Sequence, residues 1–201
     1  VVAAPQAVHV VVERAETAAG KVTLDDWLGE LRQDDAGNRC RLLLLSSSLV
    51  SQGRGRGQYR WQHLLRPWVA HLAGNIERPM TTQLLSKAGH VRLEPLDAEN
   101  AHYQLQNMLN AWCDGMLAPQ AAFAWLAKLG TPDSETDSDA YAAAETAYEG
   151  GRFQTGEVAQ SAYLSHQWSS FEKLFNERAL GHSFATLTDA LYAPLHRSVK
   201  G

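Results

Sequence analysis

Gly20-Lys21-Val22-Thr23-Leu24-Asp25-Asp26-Trp27-Leu28-Gly29-Glu30-Leu31, then Asp34-Asp35-Ala36-Gly37-Asn38, then Cys40-Arg41-Leu42-Leu43-Leu44-Leu45-Ser46-Ser47-Ser48-Leu49 is the stretch that decides the fold. The first piece alternates roughly with period two, as a half-buried strand does. The second is rich in Asp, Gly and Asn, which supply positive φ and local side-chain hydrogen bonds, so it reads as a turn. The third holds four consecutive leucines. Together they predict a hairpin, and the unbroken Leu42–Leu45 run predicts a central strand buried on both faces.

Upstream, Ala7-Val8-His9-Val10-Val11-Val12 is β-branched and short, which predicts another strand. Downstream, Gly53-Arg54-Gly55-Arg56-Gly57 is a flexible basic loop. Trp61, Leu64, Leu65, Trp68, Val69 and Leu72 then form one helical stripe. Pro67 lies within it and predicts a kink or two short helices. Met80–Ser86 and His90–Leu93 flank Lys87-Ala88-Gly89 as a second hairpin. Asp97 caps a helix whose apolar face is Leu105, Met108, Leu109, Trp112 and Met116. Further helices are expected at Ala121–Leu129, Ala140–Tyr148, Tyr163–Leu180 and Phe184–Leu195. Thr131–Asp139 has no apolar residue and reads as a mobile acidic loop. Strands, a helix, strands and then helices describe an α/β (α+β) domain with a mixed central sheet flanked by helices.

The 201 residues are 45% hydrophobic and 20% charged, which excludes a disordered chain and fits a single domain spanning 1–201. No apolar run nears the roughly 20 residues of a membrane span. Neither a signal peptide nor an initiator Met is visible at Val1-Val2-Ala3-Ala4-Pro5, so a fragment of a longer chain is expected. Cys40 and Cys113 are far apart, as reduced thiols of a cytoplasmic protein are. The net charge of −4 argues against a protein that coats nucleic acid. Charge is nonetheless segregated. Between Ser51 and Arg92, the bases Arg54, Arg56, Arg60, Arg66, Arg78, Lys87 and Arg92 stand against the single acid Glu77, whereas Thr131–Gly150 carries, of charged residues, acids only. A local positive field and two unrelated solvated surfaces both explain this pattern.

Nucleophilic chemistry has little support: there is no GxSxG, HExxH, phosphate loop or dinucleotide fingerprint. His63 and His71 have the wrong spacing for a joint metal site, and each reads as a solvated histidine. A two-metal nuclease needs carboxylates on adjacent strands and a lysine near them. Asp25 and Asp26, with Glu30 further along, offer the first part. The second strand offers Ser46-Ser47-Ser48 where an acid, a spacer and a lysine belong. Neutral hydroxyls neither hold the cation nor supply the positive charge.

At this point the chain resembles the C-terminal domain of RecC, the gamma subunit of exodeoxyribonuclease V (the RecBCD helicase–nuclease). The residues that carry the resemblance are the hairpin from Gly20 to Ser48, the Trp61–Leu72 helix, the Ala101–Met116 helix with Leu117-Ala118-Pro119, and the tail. The tail segments are Ala147–Gly151, Gly156-Glu157, Ala162–Leu164 and Leu191–Leu195. The resemblance implies a PD-(D/E)xK nuclease fold that has lost catalysis, with a degenerate site near Asp25, Ser46 and Ser48. It also implies a DNA-handling role in double-strand-break repair and recombination, packed against RecB-like and RecD-like subunits. No cofactor is implied for this domain, magnesium and ATP being used by the partner subunits.

The DNA-contacting expectation rests on Arg54, Arg56, Tyr59, Arg60 and Lys87, because arginines between glycines follow a phosphate backbone and Tyr59 or Trp61 can stack on an unpaired base. Against it, the arginines are solvated loop charges and Trp61 belongs to the helical stripe. Two alternatives remain open: an active divalent-metal nuclease using Asp25 and Asp26, and a protein-interaction module that binds no DNA.

Overall fold

The computed structural model describes residues 6–13, 22–51, 59–114, 118–129, 137–152, 154–177 and 182–199. These divide into two compact units, one formed by residues 1–110 with 197–201 and the other by residues 111–196. The first holds a five-stranded mixed sheet in the order β1 (Gln6–Glu13), β2 (Thr23–Gln33), β3 (Arg39–Leu45), β4 (Met80–Ser86), β5 (His90–Leu93). All neighbours are antiparallel except β3 and β4. That parallel pair needs a crossover, which helix α1 (Gln62–Glu77) supplies.

The β2–β3 turn follows the Asx logic of its sequence. Asp34 Oδ1 accepts from the backbone N–H of Ala36 (3.0 Å) and of Asn38 (2.8 Å), while Gly37 takes a φ of 80°. The Asn38 amide also donates to Asp34 Oδ2 at 3.0 Å, and these bonds hold the Asp34 carboxyl below its ordinary range.

Strand β2 carries a bulge that its sequence only half announces. Val8 pairs with Leu28 but Gln6 pairs with Leu31, so β2 holds one residue more than β1. Glu30 absorbs the excess at a φ of 63°, the left-handed region. The extra residue lets Leu28 and Leu31, three apart, both face the core; a regular strand would put them on opposite faces.

Helix α1 packs on one face of the sheet, against β1, β2 and β4. Its stripe buries Leu64, Trp68 and Leu72 as expected, and Gly74 lets the helix lie close against Met80 and Leu28. Of the expected kink or pair of short helices, the pair is not formed: Pro67 sits buried within one continuous helix. The uncovered face corrects the reading of Leu42–Leu45. β3 is the middle strand, yet Leu42 is 46% and Leu44 79% exposed. Register with β4 places Leu43 opposite buried Leu84 and leaves Leu42 and Leu44 on the other face, beside Leu85. Four leucines in a row conceal this alternation.

A second correction concerns His71, which is wholly buried. Its Nε2–H donates to the Glu94 carbonyl at 3.0 Å, so Nδ1 is the acceptor for the Thr82 hydroxyl at 2.9 Å. Beside it, Asn75 Oδ1 accepts from the N–H of Met80 and of Leu96, each at 2.9 Å. This buried pair fastens the end of α1 to β4 and to the segment after β5.

Helix α2 (Ala98–Asp114) begins with Asp97 Oδ1 accepting from Asn100 N–H at 2.8 Å, the expected cap. The second unit contains α3 (Pro119–Leu129), α4 (Asp137–Glu149), the short strands β6 (Gly150–Gly151) and β7 (Gln154–Thr155), and α5 (Glu157–Gln160). It continues with α6 (Ala162–Gln167), α7 (Phe171–Asn176), α8 (Phe184–Leu191) and α9 (Ala193–Ser198), which runs past the unit's end. Most of the expected acidic loop lies outside the described residues, and Asp137–Asp139 opens α4 instead. The helix expected over Tyr163–Leu180 is two helices. Trp168 leaves helical geometry, its carbonyl accepts from the Tyr148 hydroxyl at 2.6 Å, and Ser170 caps α7. Tyr192 likewise separates α8 from α9. Buried Glu157 accepts from Gln120 N–H (3.2 Å) and Ala121 N–H (3.1 Å), capping α3. Burial raises its carboxyl pKa against the lowering by those two bonds.

Candidate nucleic-acid interface

Leu49 and Val50, just past β3, organise the site. Leu49 is fully buried and anchors the strap. Its N–H donates to Ser86 Oγ at 3.1 Å, and Val50 N–H donates to the Ala88 carbonyl at 3.0 Å. These bonds fasten the β4–β5 turn, which carries Lys87, to the strap. Ser86 Oγ in turn shares its one proton within the turn, between the carbonyls of Ala88 (2.8 Å) and Gly89 (3.0 Å). Gly89 is required there: its φ is 105°, and a Cβ would run into the Val50 side chain. On the other side, Arg60 N–H donates to the Leu49 carbonyl at 2.8 Å, and Val50 bridges to Tyr59.

Two chain segments are thereby drawn to one place. Ser48, Val50, Arg60 and Lys87 line a cavity of about 230 Å³. No acid is among these lining residues. Arg60 and Lys87 are exposed, and among the described residues neither is paired with a carboxylate. Tyr59 stands beside Trp61, ring centroids 5.6 Å apart and tilted by 53°. The structure thus brings together three of the expected DNA-contacting residues, Tyr59, Arg60 and Lys87. Arg54 and Arg56 lie outside the described residues.

Ser48, expected in a degenerate nuclease site, lines this cationic pocket, while Ser46 and Ser47 are exposed beyond β3. Asp25 has another partner. It lies opposite Val11 on β1, and its Oδ1 is 2.6 Å from His9 Nε2. The His9 ring stacks on exposed Trp27, centroids 4.9 Å apart. Asp26 Oδ1 accepts from the neighbouring Trp27 N–H at 2.7 Å. β2 and β3 pair only from Leu31 to Gln33, next to their turn, so Asp25 is well along β2 from that ladder. Among the described residues, no three of His, Cys, Asp or Glu are grouped so as to hold a metal ion.

Sequence reasoning missed His9 and the bond from Ser86 that places Lys87. The period-two pattern of β1 could have placed His9 on the open face with Val11. Nothing in Ser86 itself announced its contact with Leu49, 37 residues away.

None of the described helices is long and apolar enough to cross a membrane. No curated protein matches the chain. The family model of the RecC C-terminal domain matches residues 3–130, which include the whole sheet, α1, α2 and the cationic pocket. The chain therefore belongs to the RecC C-terminal domain family.

Proposed function

We propose that this chain is a non-catalytic DNA-handling domain of a cytoplasmic exodeoxyribonuclease V gamma subunit, working in double-strand-break repair and recombination beside RecB-like and RecD-like subunits. The observation that carries the reading is the convergence of Arg60 and Lys87, from distant segments, on one pocket with no acid among its described lining residues, in a member of this family. Cations held in a concavity and, among the described residues, left without carboxylate partners favour phosphate contacts, which position DNA without reading its sequence. Tyr59, next to Arg60 in sequence and bridged to Val50, offers a ring for an unpaired base.

Loss of catalysis is supported by the chemistry of the strand ends. Asp25 is engaged by His9, and serines follow β3 where a nuclease needs an acid and a lysine. In this reading the fold is a degenerate PD-(D/E)xK nuclease, and magnesium and ATP belong to the partner subunits.

A different observation favours a second reading, a protein-interaction module. Trp27, Leu42 and Leu44 expose apolar surface on the open face of the sheet. One experiment separates the readings: a fluorescent forked duplex is titrated with the full chain at low salt, with and without magnesium or manganese. The proposal expects binding and an intact duplex. Metal-dependent cleavage contradicts it, and failure to bind even at low salt leaves the interaction module.

A further inference from the structure

The pocket formed by Ser48, Val50, Arg60 and Lys87 has a more specific chemistry than general attraction to DNA. Among the described residues that line it, Arg60 and Lys87 bring a charge of +2 and no acid reduces it. Its volume, about 230 Å³, lies below the roughly 300–1,000 Å³ of sites for drug-sized ligands, so it suits one small group. The donors differ in kind. Arg60 presents a planar fork that matches two oxygens of a tetrahedral anion, Lys87 a compact point charge, and Ser48 a hydroxyl. Val50 also lines the pocket, and its side chain carries no acceptor.

The donors are also set on a fixed frame. The Lys87 turn is bonded to Leu49 and Val50 through Ser86 Oγ and the Ala88 carbonyl, and Arg60 through its own N–H to Leu49. All three connections end on the two residues that follow Ser48.

From this charge and geometry we infer that the pocket is a receptor for a dianionic phosphate monoester, the terminal phosphate of a DNA strand. An internal phosphodiester carries one negative charge and leaves one of the two cations unmatched. A monoester carries about −1.5 to −2 at pH 7, its second pKa being about 6, and matches both. The inference rests on the DNA-contacting reading for the source of the phosphate, and a free phosphate compound shares the chemistry.

The test compares binding of one oligonucleotide in 5′-phosphorylated, 3′-phosphorylated and unphosphorylated forms to the full chain by fluorescence anisotropy. Inorganic phosphate is titrated in parallel by NMR, observing the amides of Ser48 and Lys87. The expected result is that a terminal phosphate tightens binding about tenfold at pH 7.5, with the gain shrinking as pH falls through 6. Arg60→Gln with Lys87→Met should abolish the gain while leaving the thermal midpoint unchanged. Ser48→Ala should reduce it. Equal binding of all three forms overturns the inference yet leaves sequence-independent DNA contact intact. Phosphate shifts at Ser48 and Lys87 without binding of any oligonucleotide uphold the monoester receptor and remove DNA as its source. Absence of both overturns receptor and source together.

Discussion

His71 and Thr82 face each other inside the first unit, the imidazole Nδ1 2.9 Å from the threonine hydroxyl oxygen, with the opposite ring nitrogen on the Glu94 carbonyl. Both ring nitrogens are occupied and the ring is neutral. Burial is the main cause, and it pushes the His71 pKa down to about 4 against the smaller opposing effect of the Glu94 bond. In the unfolded chain the group returns to about 6.5. The unfolded state therefore binds the extra proton between those values. Stability from this site is complete above pH 6.5 and is lost as pH falls towards 4, by at most about 3 kcal/mol. The ring carbon resonances of His71, followed by NMR, should titrate with a midpoint near 4. A midpoint near 6.5 in the folded protein contradicts the buried arrangement.

The turn that carries Lys87 depends on one hydroxyl. Ser86 Oγ accepts from Leu49 N–H and shares its one proton between two carbonyls of its own turn. Ser86→Ala leaves the part-buried Leu49 N–H without its partner, a cost of about 1–3 kcal/mol. Chemical denaturation should show that loss, and Lys87 should become less ordered by NMR relaxation. A wild-type midpoint contradicts the assigned role.

Glu30 stands at a φ of 63°, where a side chain is strained and glycine is not. Glu30→Gly should therefore stabilise the protein by about 1 kcal/mol, after the entropy that glycine adds to the unfolded chain. The thermal midpoint should rise by a few degrees. A fall would mean that Glu30, whose charge is felt by Arg41, holds the bulge in place.

Local chemistry made much of the fold legible. Asp34, Gly37 and Asn38 named their turn, Asp97 named its cap, and Lys87-Ala88-Gly89 named the second hairpin. The leucine run failed because burial on one face or on two looks alike when no polar residue alternates. His71 failed because a histidine on a helix with no local partner reads as a solvated one until Thr82 and Glu94 are placed beside it. The break at Trp168 depends on the Tyr148 hydroxyl, 20 residues away, which no local pattern records. The candidate site divides the same way. Tyr59, Arg60 and Lys87 were visible as residue types, but their meeting depends on hydrogen bonds from Leu49 and Val50. The family resemblance was legible in the hairpin and the first two long helices, within the matched residues 3–130; the tail segments beyond Leu129 lie outside the match.

The proposed function requires that Arg60 and Lys87 contact DNA through phosphates. Its most direct test is a salt titration of binding to a forked duplex, for the wild type and for Arg60→Ala with Lys87→Ala, repeated on several DNA sequences. Each phosphate contact contributes close to one unit to the slope of log K against log salt, about 0.9 on duplex and 0.7 on single strands. The predicted result is a slope flatter by about 1.4 to 1.8 units in the double variant, with affinity reduced about equally on every sequence. An unchanged slope would contradict the account, leaving both side chains as solvated charges and the domain's function in subunit packing alone.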